Sequence, residues 1–166
     1  MRDTRFVAAH RGGLLPLADH RLLAAWAADC AEQLLPLFER HSSDVRLRQA
    51  IEVGRAWARG EVRTGVAQRA AVAAHAAARE CTHEVAVAVA RAAGHAVATA
   101  HAADHSLGVL IYGAKAITAA GGASNDEQVR QLAKLPKRLK ILVASAMEKR
   151  RTSCSTRRRG RHATPQ

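Results

Sequence analysis

Apolar residues recur along this chain at intervals of three and four, the spacing that gathers them on one face of an α-helix. Leu22, Leu23, Trp26, Cys30, Leu34 and Leu37 do so first. They predict a helix from about Leu17 to Leu35, with Pro36 kinking or restarting it. Residues 1–16 read as an extended lead-in, broken at Gly12-Gly13 and Pro16. Ser42-Ser43-Asp44 offers an N-cap to a second helix, which carries Leu47, Ile51 and Trp57 to a stop at Gly60. Thr64 is placed to cap a third, nearly all-alanine helix ending at Glu80, with Gln68, His75 and Arg79 on one face.

The next helical stretch, His83–Ala120, would be about 57 Å long as one helix. A globule of this size is only about 40 Å across, so a break is expected, and Asp104–Gly108 is the natural place for it. Asp104 or Ser106 then caps the second half. Gly121-Gly122 ends the stretch. Ser124 and Glu127 have capping-box spacing before a helix to about Leu135. Pro136 opens a last one, with Leu139, Leu142, Val143 and Met147 as its stripe, to about Lys149. No strand pattern appears. The expectation is an all-α fold, a single Ala-rich helical bundle of about six to seven helices over residues 1–149.

Composition sharpens this picture. The chain has 166 residues, 48% of them hydrophobic but only 3% aromatic, and 38 alanines. Such a core is built from small side chains, so the helix backbones must approach closely. Three cysteines, Cys30, Cys81 and Cys154, stand far apart with no CxxC, which argues against a disulfide framework or a zinc ribbon. With no leader-like start and no uncharged span of about 18 residues, a cytoplasmic, membrane-free protein is expected.

The net charge of +12 is uneven. From Lys149 onward there are seven Lys/Arg and no acid, leaving 19 basic and 14 acidic residues before it, or +5. Residues 150–166 lack core-forming residues and read as a disordered basic tail. Arg157, Arg158, Arg159 and Arg161 there can hold nucleic acid only non-specifically, through phosphates, or serve as a solubilising extension. Arg48, Arg55 and Arg59 form a basic face on the second helix, most simply a solvated one paired with Glu52. Trp26 and Trp57 fall on apolar stripes and read as core anchors.

Candidate chemistry concentrates in Gly94–Gly108, GHAVATAHAADHSLG. Glu84, Arg91, His95 and Thr99 make one narrow polar stripe on a helix that is otherwise apolar, as expected of a central helix. His101 and His105 are four apart and would share a metal ion if one helix carried both, with Asp104 as oxygen ligand or orienter. The expected break and the missing third ligand speak against that, and no metal or other cofactor is assigned. The plainer alternative is a buried hydrogen-bond network of His95, His101 and Asp104; a further one is a polar pocket for a small ligand or a partner's residue. Neither P-loop, GxSxG nor paired-carboxylate patterns occur, and no catalytic residue is named.

The same Gly94–Gly108 run resembles the signature segment of a family of bacterial immunity proteins associated with polymorphic toxin systems. FVAAHRGG (Phe6–Gly13), WAADCAEQLLPLF (Trp26–Phe38), RAWARGEV (Arg55–Val62) and LPKRLKILV (Leu135–Val143) follow in the family's order, so the resemblance spans about residues 1–147. It implies an all-α domain that binds and neutralises a cognate protein toxin without catalysis. It assigns no role to His95, His101, Asp104 or His105, and nothing to residues 150–166. The +5 body does not suit an acidic mimic of nucleic acid; an acidic toxin surface or a shape-driven interface suits it better. Two other readings stay open, a nucleic-acid-associated protein acting through its Arg-rich tail and a metal-dependent enzyme around the histidines.

Overall fold

A computed structural model describes residues 3–160, with side chains described as far as residue 152. The described residues form an all-α bundle of eight α-helices, one of them a single short turn, with three 3-10 turns and no strand. α1 (Leu17–Glu32) and α2 (Leu35–Glu39) are separated where Pro36 enters the first turn of α2. α3 (Arg46–Arg59) ends as expected, on Gly60 in the left-handed region at φ 84°. α4 (Thr64–Glu80) follows.

α5 (Glu84–Ala98) is the central element. Val85, Val89, Ala92, Ala93, Ala96 and Val97 are all buried, and α1, α2, α3, α4 and α6 pack around it. Alanine and valine on nearly every side explain how one helix accepts so many neighbours: short side chains let the axes come close. α6 (Ser106–Ala119), α7 (Ser124–Ala133) and α8 (Lys137–Gly160) complete the bundle.

The break in the long helical stretch comes earlier than Asp104–Gly108. The chain leaves α5 at Thr99 and is extended at Ala102, before a 3-10 turn at Ala103–His105 leads into α6. The reason is tertiary. The Thr99 carbonyl, orphaned at the helix end, accepts a hydrogen bond from His20 Nε2 of α1 at 2.6 Å. The Thr99 hydroxyl donates back to the His95 carbonyl at 3.1 Å, a local bond that competes with helix continuation. Neither Asp104 nor Ser106 caps α6; Ser106 Oγ donates instead to the Ala103 carbonyl.

Two other expected caps are also redirected. The Thr64 hydroxyl accepts from Trp57 Nε1 at 3.1 Å, and Ser124 Oγ accepts from Thr118 rather than making a capping box with Glu127. Both tryptophans are core anchors: Trp57 is 7% exposed and Trp26 5%. Trp26 Nε1 donates to the Gln131 carbonyl at 2.9 Å. Gln131, a buried polar residue of α7, also accepts from the Cys30 thiol and donates to Gln33. This side-chain hub fastens α7 to α1.

The lead-in is tied down at both ends. Arg5 pairs with Asp3 at 2.6 Å and donates to Ser145 Oγ of α8. Leu15 and Val7 share a backbone hydrogen bond. α8 runs on past Lys149, where the apolar stripe ends, with a helical backbone as far as Gly160. Lys and Arg are good helix formers, and Glu148 pairs with Arg151 one turn along. The side chains of Arg157, Arg158 and Arg159, and Arg161 altogether, lie outside the described residues. Among the described residues no helix is long and apolar enough to cross a membrane.

Candidate functional site

Four histidines from separate elements meet beside α5. His75 comes from α4, His95 from α5, His101 from the connection after α5, and His105 from the 3-10 turn. Their ring centroids step along at 5.3 Å from His75 to His95, 5.2 Å to His105 and 4.8 Å to His101. Tyr112 of α6 stacks on His95 at 5.2 Å, tilted by only 17°. His95 Nδ1 and His105 Nδ1 lie 3.1 Å apart, so one ring donates its N–H to the other's lone pair.

Two glycines make the room. A Cβ on Gly108 would stand 2.4 Å from His95 Cγ and 2.9 Å from its Cβ, and a Cβ on Gly94 would stand 2.5 Å from His75. They are the two ends of the Gly94–Gly108 run. The segment therefore carries both the imidazoles and the hollows that accept them.

Burial sets the protonation. It pushes His95 down to about 4, helped by the neighbouring charges of His105, His75, Arg150 and Arg91. His75 is lowered by burial and then by Arg91 and Arg79. His20, 2% exposed, is lowered chiefly by burial. Neutral rings stack and exchange single hydrogen bonds without charge repulsion, and that is the state these three hold near neutral pH.

The residues singled out along the sequence are brought together only in part. His95, His101 and His105 share the cluster, but His101 and His105 are not on one helix. Their proximity comes from the turn between α5 and α6. Asp104 lies in that turn, half-buried beside His105. Thr99 is fully buried and bonds to backbone, so it leaves the polar stripe. Arg91 sits at the partly exposed margin. His75 joins the cluster although its sequence position suggested only a helix face, and His20 and Tyr112 had no sequence signal. The glycines at 94 and 108 were the available clue, since a glycine within a helix often marks close approach.

The Nδ1 atoms of His95 and His105 satisfy each other, which takes one donor atom from each away from any metal. Among the described residues no group of three or more His, Cys, Asp or Glu is placed to hold an ion. Two concavities adjoin the region. One, of about 60 Å³, lies under the lead-in between His10, Arg11, His20, Trp57, Thr64 and His101, room for about two water molecules. The other is an open groove of about 870 Å³ between α5 and α6, lined by Glu84, Val87, Ala88, Tyr112 and Lys115 among others. Lys115 Nζ stands 5.1 Å from the Tyr112 ring centre.

The basic face of α3 is neutralised. Arg55 reaches Asp29, Glu32 and Glu52 at 2.6–3.0 Å, Arg48 pairs with Glu39, Arg59 with Glu61, and Arg46 with Asp44 and Glu80.

Compared with known families, residues 13–138 match the model described as Imm-5 like putative immunity protein. No curated protein and no solved structure matches the chain.

Proposed function

The chain belongs to the Imm-5 like putative immunity protein family, and from that premise we propose that it binds a cognate bacterial protein toxin and neutralises it stoichiometrically, without turnover. The family match over residues 13–138 is the observation that carries this reading. The architecture supports it: a preformed helical surface binds with little ordering cost. In this reading the imidazole cluster is structural. His75, His95 and His105 hold α4, α5 and the turn into α6 in one register, with the His75 and His95 rings kept neutral by burial. No catalytic residue is assigned.

The test is survival. Each gene beside that of this protein is expressed from an inducible promoter in a sensitive host, with and without this protein. Growth arrest by one neighbour, relieved only by co-expression of this chain, is the expected outcome. The purified pair should then form a complex of fixed stoichiometry on size-exclusion chromatography. Relief that needs only trace amounts of this protein would indicate an enzyme acting on the toxin or its product, and would sink the stoichiometric reading.

A further inference from the structure

The arginines around the imidazole cluster differ from those of α3: within the described residues no ion pair ties them to an acid. His75 and Arg79 are one turn apart on α4, and Arg91 and His95 are one turn apart on α5. The short connection at residues 81–83 folds α5 back along α4, and His75 meets His95. The same offset sets Arg79 against Arg91 one turn further along. Both guanidinium charges reach His75, and Arg150 of α8 brings a third charge to His95. Arg79 and Arg150 are exposed and Arg91 partly so. None of the three forms an ion pair or hydrogen bond within the described residues. Glu80, next to Arg79 in sequence, is committed to Arg46, and Glu148, two residues before Arg150, to Arg151.

Three positive charges from three helices stand beside the same pair of imidazoles, so an anionic partner gains from each of them. The surface beside them is apolar. Glu84, Val87 and Ala88 of α5 line the groove between α5 and α6, and Arg91 and His95 continue the same helix face over the next two turns. Tyr112 lines that groove and stacks on His95. Val72, 65% exposed, lies one turn before His75 on α4. A largely apolar groove with Arg91 one turn beyond it on α5, and with Arg79 and Arg150 beside the adjoining imidazoles, matches a protein segment with apolar anchors and a cluster of carboxylates. A nucleic-acid backbone would use the charges and leave the trough empty.

We infer that the groove between α5 and α6, together with Arg79, Arg91 and Arg150, is the docking face for an acidic, amphipathic segment of the partner protein. This deepens the toxin-binding reading and rests on it. Apolar partner side chains fill the trough over Val87, Ala88 and Tyr112, and the partner's carboxylates meet the arginines.

The test uses the full chain and a defined probe, a fluorescein-labelled 14-residue peptide with Leu and Glu at helical spacing, read by fluorescence anisotropy at 50 mM and 300 mM salt. The double variant Arg79→Gln/Arg91→Gln should weaken binding about tenfold at low salt, and Arg150→Gln about threefold, with the gap narrowing at high salt as screening predicts. Arg48→Gln, which removes an arginine already paired with Glu39, should change it by less than about twofold. Ala119→Trp, filling the groove from its exposed margin, should weaken binding while melting temperature stays near that of the parent. Absence of peptide binding, equal losses for Arg48→Gln and the cluster variants, or displacement of the peptide by a dT14 oligonucleotide would each overturn the docking face. The survival assay separates the two ideas. If the parent chain protects against no neighbouring toxin, the immunity reading fails, whatever the peptide shows. If the parent protects and the double variant protects equally, the docking face fails alone.

Discussion

Two sets of arginines on this bundle are handled in opposite ways. On α3, Arg46, Arg48, Arg55 and Arg59 each face a carboxylate, and Arg55 gathers three. Around the imidazoles, the charges of Arg79, Arg91 and Arg150 bear on histidines held neutral by burial. The first set is internally balanced and contributes to stability in proportion to its burial and geometry. The second has no ion pair within the described residues and leaves charge available to something outside. A basic face on a helical wheel therefore says nothing about binding until its acids are located.

The largest expected effect breaks the comparison at its buried side. Histidines in the unfolded chain titrate near 6.5, whereas His95 folds with a value of about 4. Between those values the unfolded state binds the extra proton. The stability that the neutral ring contributes is therefore complete above about pH 6.5 and lost as pH falls toward 4. Urea titrations at pH 7.5 and 4.5 should differ by up to about 3 kcal/mol from this residue. His95→Gln should flatten that dependence. An equally steep slope in the variant would place the origin elsewhere.

Next comes the hollow that admits His95. Gly108→Ala sets a methyl group against the base of that side chain, where rotation gives no relief. A loss of about 2 kcal/mol is expected, beyond the gain in helix propensity. Gly94→Ala meets only the outer ring atoms of His75, at the half-buried edge. It should cost less than Gly108→Ala in the same denaturation experiment, and a reversed order would contradict the packing described.

Smaller effects sharpen the charge comparison itself. Arg55→Gln strands three carboxylates and should cost about 1 kcal/mol at low salt, fading as ionic strength rises. Arg79→Gln/Arg91→Gln removes two charges that make no ion pair within the described residues and should leave thermal stability unchanged within about 0.5 kcal/mol. If both sets of variants destabilise alike, the two faces are equivalent and the contrast drawn between them fails.

Much of the fold was legible along the chain. The period of three to four apolar residues located the helices, and Gly60 and Pro36 marked stops that hold in three dimensions, because glycine's freedom at positive φ and proline's missing N–H act locally. The caps were less legible. Thr64 and Ser124 stand at helix starts with side chains suited to capping, yet Thr64 serves Trp57 and Ser124 serves Thr118. A hydroxyl bonds to whichever partner packing brings nearest. The break near Asp104 was displaced to Thr99 for the same reason, since His20 from α1 takes the exposed carbonyl.

The candidate site divides along the same line. His95, His101 and His105 stood out as a dense group within one apolar stretch, and they do meet. His75, His20 and Tyr112 come from other helices, and nothing in their local pattern tied them to that group.

By itself, then, the sequence determined that this protein is an alanine-rich helical bundle with an almost wholly apolar central helix, since those properties follow from spacing and side-chain size within each segment. Only the tertiary structure decided which polar groups are satisfied and which arginines remain unpaired. Hydrogen bonds and ion pairs depend on distances between segments far apart in the chain: Arg55 finds Asp29 and Glu32 on α1, while Arg79 and Arg91 meet no acid within the described residues.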